Sequence, residues 1–379
     1  MTDINKEELI SLLIRIGNKD LDDQTKRNFT KKIADIEANK LSQTQINKLF
    51  VLMNKINAGD YDEDTKERTK LLNEIYILLE GYYLNGNEKF FLGTNKKCRF
   101  CGKSELDTTF KNISHAIPNF TGNRTLFSNY ECDLCNNKFG KLESHMANFM
   151  NLRHTLTAIK GKNNIPSFKT ISGKSRIDHK DRIGKIKYDQ EDSFFSLDEE
   201  DKTATFTATT RSYVPVAIYK CLTKMALTIM PEDELIYFEE TLKWISDVQH
   251  DSPSYNLRSL YADLSTTVSP LNNGFSTIYC QIYKNRDTRK FMSSIMPYMV
   301  FVLAYGSFAF QIHIPLCSRD IQLTDFKQFP FYIPTSVDYH FGSSFLQREV
   351  LDLNGKEKVV GEKQQHSLKW KRNDSTNKE

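Results

Sequence analysis

Two C-x-x-C pairs, Cys98 with Cys101 and Cys132 with Cys135, stand about thirty residues apart, a spacing that lets four thiolates surround one Zn²⁺. Such a centre is closed: four sulfurs leave no coordination position for a substrate, so a zinc enzyme acting through this metal fits poorly. Any chemistry must come from what the knuckles hold. Between them lies Ser114-His115-Ala116-Ile117-Pro118, and directly after the second knuckle comes Asn136. A histidine titrates near neutral pH and serves as a general base, while an asparagine oxygen is a hard donor suited to Mg²⁺ or Mn²⁺.

This order of parts resembles the cysteine-knuckle subgroup of the HNH, or His-Me finger, endonucleases with the ββα-metal fold. The resemblance covers roughly residues 95–160. It implies that His115 is the general base of phosphodiester hydrolysis in DNA and that Asn136 binds a catalytic divalent cation. It also implies that an intervening asparagine, Asn129 or alternatively Asn123, orients the base. One departure stands out. The family carries an acid just before the histidine, and this chain has Ser114. A hydroxyl is a poor ligand for Mg²⁺. Either the cation is held largely through water and Asn136, or a carboxylate arrives from elsewhere, or this copy does not cut. The last case would leave a zinc-dependent nucleic-acid-binding or interaction protein.

The helix expected from Asn136 toward residue 160 sorts further candidates. Glu143, seven residues on, points to nearly the same face about 10 Å higher, so sharing one metal ion with Asn136 is a stretch, and a water-bridged or supporting role at the catalytic cation stays open. His145 faces the other way, and it and His154 read as packing or surface residues. Beyond the helix, residues 160–187 are rich in cations, including Lys160, Lys162, Lys169, Lys174 and Arg176. Such a run is ordinarily a solvated face, and beside a nuclease it would equally neutralise backbone phosphates.

The elements needed to position these groups imply an α+β protein in four parts. Residues 1–92 read as a helical region, with helices over 7–16, around 46–56 and from about 64 to 83. Residues 93–162 form the zinc-stapled unit, with strands at 113–117 and 125–127. Residues 163–360 read as a separate α+β domain, with helices over 216–230 and 233–246 and strands at 203–210, 276–283, 299–305 and 308–314. Residues 361–379 are polar and basic, and read as a disordered tail.

Composition bounds the rest. The chain has 379 residues, 39% hydrophobic, with net charge +4, which suits a globular protein and neither demands nor excludes nucleic acid. The opening residues have no basic segment followed by an apolar run, which argues against a secretory signal. Seven cysteines, four in knuckles and Cys221, Cys280 and Cys317 alone in apolar surroundings, fit a reducing cytoplasm. The apolar stretch 296–316 is broken by Gly306-Ser307 and reads as a hairpin rather than a membrane span. A nuclease fused to a large unrelated domain is the arrangement of prokaryotic restriction and anti-phage effectors. By that analogy the C-terminal domain is a regulatory element with an activating ligand or partner, and the chain has room to form a homodimer.

Overall fold

A computed structural model describes residues 75–84, 87–94, 97–161, 164–180, 183–247, 249–250, 255, 257, 260–267, 275–286, 296–320 and 346–370. The helices expected within residues 1–74 lie outside these.

In chain order the first elements are strands β1 (Tyr76–Leu84), β2 (Phe90–Leu92), β3 (Ser114–His115) and β4 (Leu126–Ser128), then helices α1 (Asp133–Phe149) and α2 (Asn151–Leu156). Strands β5 (Phe168–Lys169), β6 (Arg176–Lys180), β7 (Ile183–Lys187), β8 (Phe195–Asp198) and β9 (Thr203–Thr209) follow. Helices α3 (Pro215–Ile229) and α4 (Glu239–Ser246) precede β10 (Tyr261–Thr267), β11 (Phe275–Asn285), β12 (Met299–Gly306) and β13 (Phe308–His313). The last two strands are β14 (Leu346–Asp352) and β15 (Lys363–Lys369). The chain is thus α+β, as its sequence implies.

A six-stranded sheet of order β1-β11-β12-β13-β10-β14 forms the largest layer, and each pairing in it is antiparallel. Strands β12 and β13 are the expected hairpin. Gly306 takes φ +57° at the first central position of its two-residue turn, and a Cβ there would strike Ile159. No helix among the described residues is long and apolar enough to cross a membrane.

Helix α3 is buried along its whole length. Pro215 starts it at a position where the missing N–H costs nothing, and its apolar residues continue round every face, as a central helix requires. One flank packs against α1 and another against β13, where Tyr219 Oη donates to the His313 carbonyl (2.8 Å). Helix α1 presents Cys135, Phe139, Leu142, Met146 and Phe149 to the same core at three- and four-residue spacing.

Three expectations need correction. The helix expected over 64–83 is strand β1 from Tyr76 onward, because it pairs along its length with β11. Its Tyr and Ile content suits a strand, and tertiary pairing overrides the apolar spacing. The tail expected to be disordered contributes β15, paired with β9 and tied to it by Thr205 and Ser367 hydroxyls 3.0 Å apart. The long helix expected from residue 136 begins earlier, at Asp133, and divides at Met150 into α1 and α2.

Candidate active site and zinc centre

The four knuckle cysteines converge, with their Sγ atoms within 4.8 Å of one another and Cys101 Sγ 3.8 Å from Cys132 Sγ. Sulfurs placed tetrahedrally at about 2.3 Å from Zn²⁺ stand about 3.8 Å apart, so the donor set fits zinc. Gly102, at φ +72°, returns its N–H to the Cys98 carbonyl (2.8 Å) and closes the first knuckle. Hydrogen bonding from Cys135, then from the backbone N–H groups of the knuckles, outweighs burial and holds the Cys98 thiol below its ordinary range, toward the thiolate that a metal takes. The second knuckle doubles as a helix start: Cys132 is the N-cap of α1. Asp133 in the first turn accepts from Thr109 Oγ1, from the N–H groups of Lys111 (3.0 Å) and Asn112 (2.9 Å), and from Asn112 Nδ2 (3.1 Å).

This centre is fastened to the central helix. Arg99, inside the first knuckle, donates through Nη1 to the carbonyls of Leu227 (2.7 Å), Thr228 (3.0 Å) and Met230 (2.8 Å), the unsatisfied acceptors at the C-terminus of α3. Its guanidinium lies 3.8 Å over the Tyr130 ring. Lys138 of α1 does the same for α4, donating to Ser246 O (2.9 Å).

Strand β3 presents two neighbours to opposite faces of the small β2-β4-β3 sheet. His115 lies half-buried on the outer face, its ring 4.7 Å from that of Phe127. The side-chain amide against it belongs to Asn119, whose Nδ2 lies 3.4 Å from His115 Nε2. The contact works with Nδ2 donating to a bare Nε2, or with the amide turned over to accept from Nε2–H. Asn129, the residue first expected in this role, spends its Nδ2 on the Gly93 carbonyl (2.8 Å). Asn123 is fully buried, donating to Ile117 O and Leu126 O and accepting from the N–H groups of Thr125 and Leu126. It fixes the turn between the strands and has no hydrogen-bonding capacity left for a base.

Ser114, on the inner face, reveals a carboxylate that sequence reasoning missed. Its Oγ donates to Glu131 Oε2 (2.7 Å) and lies 3.3 Å from Asn136 Oδ1. Glu131 precedes the second knuckle and is buried, and its Oε1 has no hydrogen-bond partner. The counter-charge comes from α3: Lys224 Nζ lies 2.8 Å from Glu131 Oε2 and 3.4 Å from the His115 carbonyl, with both charged side chains 1% exposed or less. Burial works to lower the Lys224 pKa, but Glu131 and then Glu143 outweigh it and hold the group above its ordinary value. Glu143 belongs to the same charged cluster, its own pKa raised by desolvation. Asn136 is the fourth residue of α1 and not its cap, so its side chain is available to the pocket.

The other histidines of α1 and α2 pack, as expected. His145 Nδ1 accepts from Val214 N (3.2 Å) at the head of α3, and buried His154, brought down to about 3 by desolvation, meets Tyr305 Oη at 3.0 Å. The basic stretch forms a surface sheet, β5-β6-β7. Lys160 and Lys169 are exposed there, but Lys174 pairs with Glu191 (2.8 Å) and Arg176 with Asp178 (2.5 Å), which spends much of their charge. Lys162 lies outside the described residues.

Residues 98–148 match the family model of HNH endonucleases. No curated protein and no solved structure matches the chain. The matched segment runs from the first knuckle through α1 and so contains both cysteine pairs, His115, Glu131 and Asn136. The chain therefore carries an HNH endonuclease domain whose cysteines form a candidate zinc site.

Proposed function

We propose that the chain is a metal-dependent endonuclease that hydrolyses phosphodiester bonds in DNA, with His115 as its general base. The carrying observation is that His115 stands half-exposed on the outer face of an HNH unit with a candidate zinc site, with Asn119 against its ring. Neutral His115 would accept a proton from the attacking water at Nδ1, with the Asn119 amide turned so that its oxygen accepts from Nε2–H and fixes that tautomer. Asn136 Oδ1 and the unpartnered Oε1 of Glu131 are hard oxygen donors, and they would hold Mg²⁺ or Mn²⁺ in place of the acid that Ser114 lacks. Such an ion, when bound, would supply Lewis-acid stabilisation of the negative charge that develops on the phosphate. Exposed Lys160 and Lys169 would contribute to backbone neutralisation. Regulation fits the same picture, since α3 of the C-terminal region reaches the catalytic strand through Lys224. On fold-level analogy the role is a prokaryotic restriction or anti-phage effector acting in a reducing cytoplasm, where seven unbridged cysteines are at home.

The test is plasmid nicking with Mg²⁺ or Mn²⁺ by zinc-loaded wild type and His115→Ala. Loss of about 10²–10⁴-fold in rate is expected for removal of a general base. Cleavage that survives the substitution would remove His115 from the role. One observation favours the second reading, a binding protein without cleavage: Lys224 already places a positive charge on Glu131. That reading requires a zinc-loaded wild type that binds nucleic acid and never cuts it.

A further inference from the structure

The outer face of the small sheet carries, beside His115, two aromatic rings that the hydrolytic chemistry does not use. Phe91 of β2 pairs in register with Phe127 of β4, and Phe127 pairs with His115 of β3, so the three side chains cross the sheet side by side. The Phe91 and Phe127 rings stack at 5.3 Å and 23°, and His115 leans on the far side of Phe127. Phe127 is buried between its neighbours, whereas Phe91 remains 42% exposed. Lys89, two residues before Phe91 and therefore on the same face, brings its Nζ to 5.7 Å from the Phe127 ring.

An open aromatic ring, a cation and a candidate general base thus share one face. Single exposed aromatics are common on protein surfaces and need no ligand. Here the ring is set by strand register beside His115, two strand spacings or about 10 Å away, which is the reach of a nucleotide or two. Every nucleobase has a π-face, and a groove combining positive charge with aromatic rings is how single strands are held without sequence preference. In an intact duplex the base faces are already stacked on one another and cannot reach Phe91.

We propose that Phe91, backed by Phe127 and flanked by Lys89, is a stacking platform for an unpaired nucleobase, so that the substrate at this site is single-stranded nucleic acid. The proposal rests on the nuclease reading for the placement of the scissile phosphate near His115, but binding can be measured apart from cleavage. The zinc-loaded full chain, without added Mg²⁺ or Mn²⁺, is titrated into short oligodeoxynucleotides and oligoribonucleotides carrying 2-aminopurine, and into a blunt duplex of the same sequence. Phe91→Leu keeps the apolar contact with Phe127 but removes the aromatic face, and Phe91→Trp enlarges it.

The expected result is quenching of 2-aminopurine on binding and a roughly tenfold weaker single-strand affinity in Phe91→Leu, within the range for one base–aromatic stack. Phe91→Trp restores it, and duplex binding changes less than about twofold, as expected where no stack is lost. Dependence on Phe91 in either the DNA or the RNA arm supports the platform. Dependence in neither arm, or equal losses for single strand and duplex, overturns it. Phe91-dependent binding without cleavage on adding Mn²⁺ would leave the platform and remove the nuclease. Cleavage indifferent to Phe91 would do the reverse.

Discussion

Ser114 and His115 are neighbours in the chain but face different surroundings. The Ser114 side belongs to a buried pocket in which Ser114 Oγ joins Glu131 to Asn136, Lys224 of α3 pairs with Glu131 Oε2, and Glu131 Oε1 is left without a partner. The His115 side opens on solvent and is bounded by rings and a flexible lysine. A buried ion pair is weak evidence of net stabilisation, yet breaking one is costly because the survivor is left charged and unsolvated. A half-exposed ring or imidazole can be removed at small structural cost. Substitutions on the inner side should therefore disturb folding together with the proposed cation donors, whereas those on the outer side should alter chemistry with little effect on folding.

The largest effect should come from the cysteine end. Apparent metal-binding free energies of about 10–16 kcal/mol are typical of small zinc folds at neutral pH, and in such folds they amount to folding free energy. Chelation, or Cys132→Ser, is expected to lower the thermal midpoint more than any other single change. It should also expose the segment around Met230 to protease, because Arg99 loses its fixed position against the end of α3. Calorimetry and limited proteolysis of metal-loaded and chelated protein check both, and protection at Met230 that survives chelation would break the proposed link.

The inner pocket comes next. Lys224→Met should cost about 3–5 kcal/mol by stranding Glu131, and the double variant Glu131→Gln with Lys224→Met should recover more than half of it. Urea denaturation of the four proteins of the cycle decides this. An additive cycle would mean that the two residues act separately.

Acid should then erode the start of α1. The Asp133 carboxyl is drawn from its ordinary 3.8 to about 2 by the Thr109 hydroxyl and the N–H groups of Asn112 and Lys111. A depressed pKa stabilises the fold above the unfolded value, so this contribution holds above about pH 4 and is lost as pH falls toward 2. Denaturation midpoints across that window should fall in wild type and flatten in Asp133→Asn. The smallest structural effect is expected on the outer face, where His115→Ala should change stability by no more than about 1 kcal/mol while abolishing cleavage. A large loss of stability there would erase the contrast between the two sides.

The same division explains what could be read from the sequence. Spacing alone pointed to the four cysteines, which converge in the fold, whereas His115 and the strand-strand-helix order around it were singled out by the resemblance to the HNH family. Glu131 was missed because its meaning depends on Ser114 and on Lys224, and no local pattern joins the three. A signal was present nonetheless: Lys220 and Lys224 sit in a helix apolar on every face, and buried lysines need partners. Lys220 finds Asp247 O at 2.7 Å, and Lys224 finds Glu131. Asn119 was missed as well: Asn129 and Asn123 were the residues weighed for its role, and nothing local marks one turn asparagine over another. Strand β1 was misread because its partner, β11, lies near the other end of the chain.

The position of α3 in the chain also bears on synthesis. Lys224 follows His115 by 109 residues, and the acceptors of Arg99 lie further still. At about 5–20 residues per second, a ribosome needs on the order of 5–20 s after β3 to deliver that helix. Until then Glu131 has no ammonium and Arg99 has no helix end to cap. The order of translation thus sets the earliest moment at which the inner pocket of the knuckle unit can close.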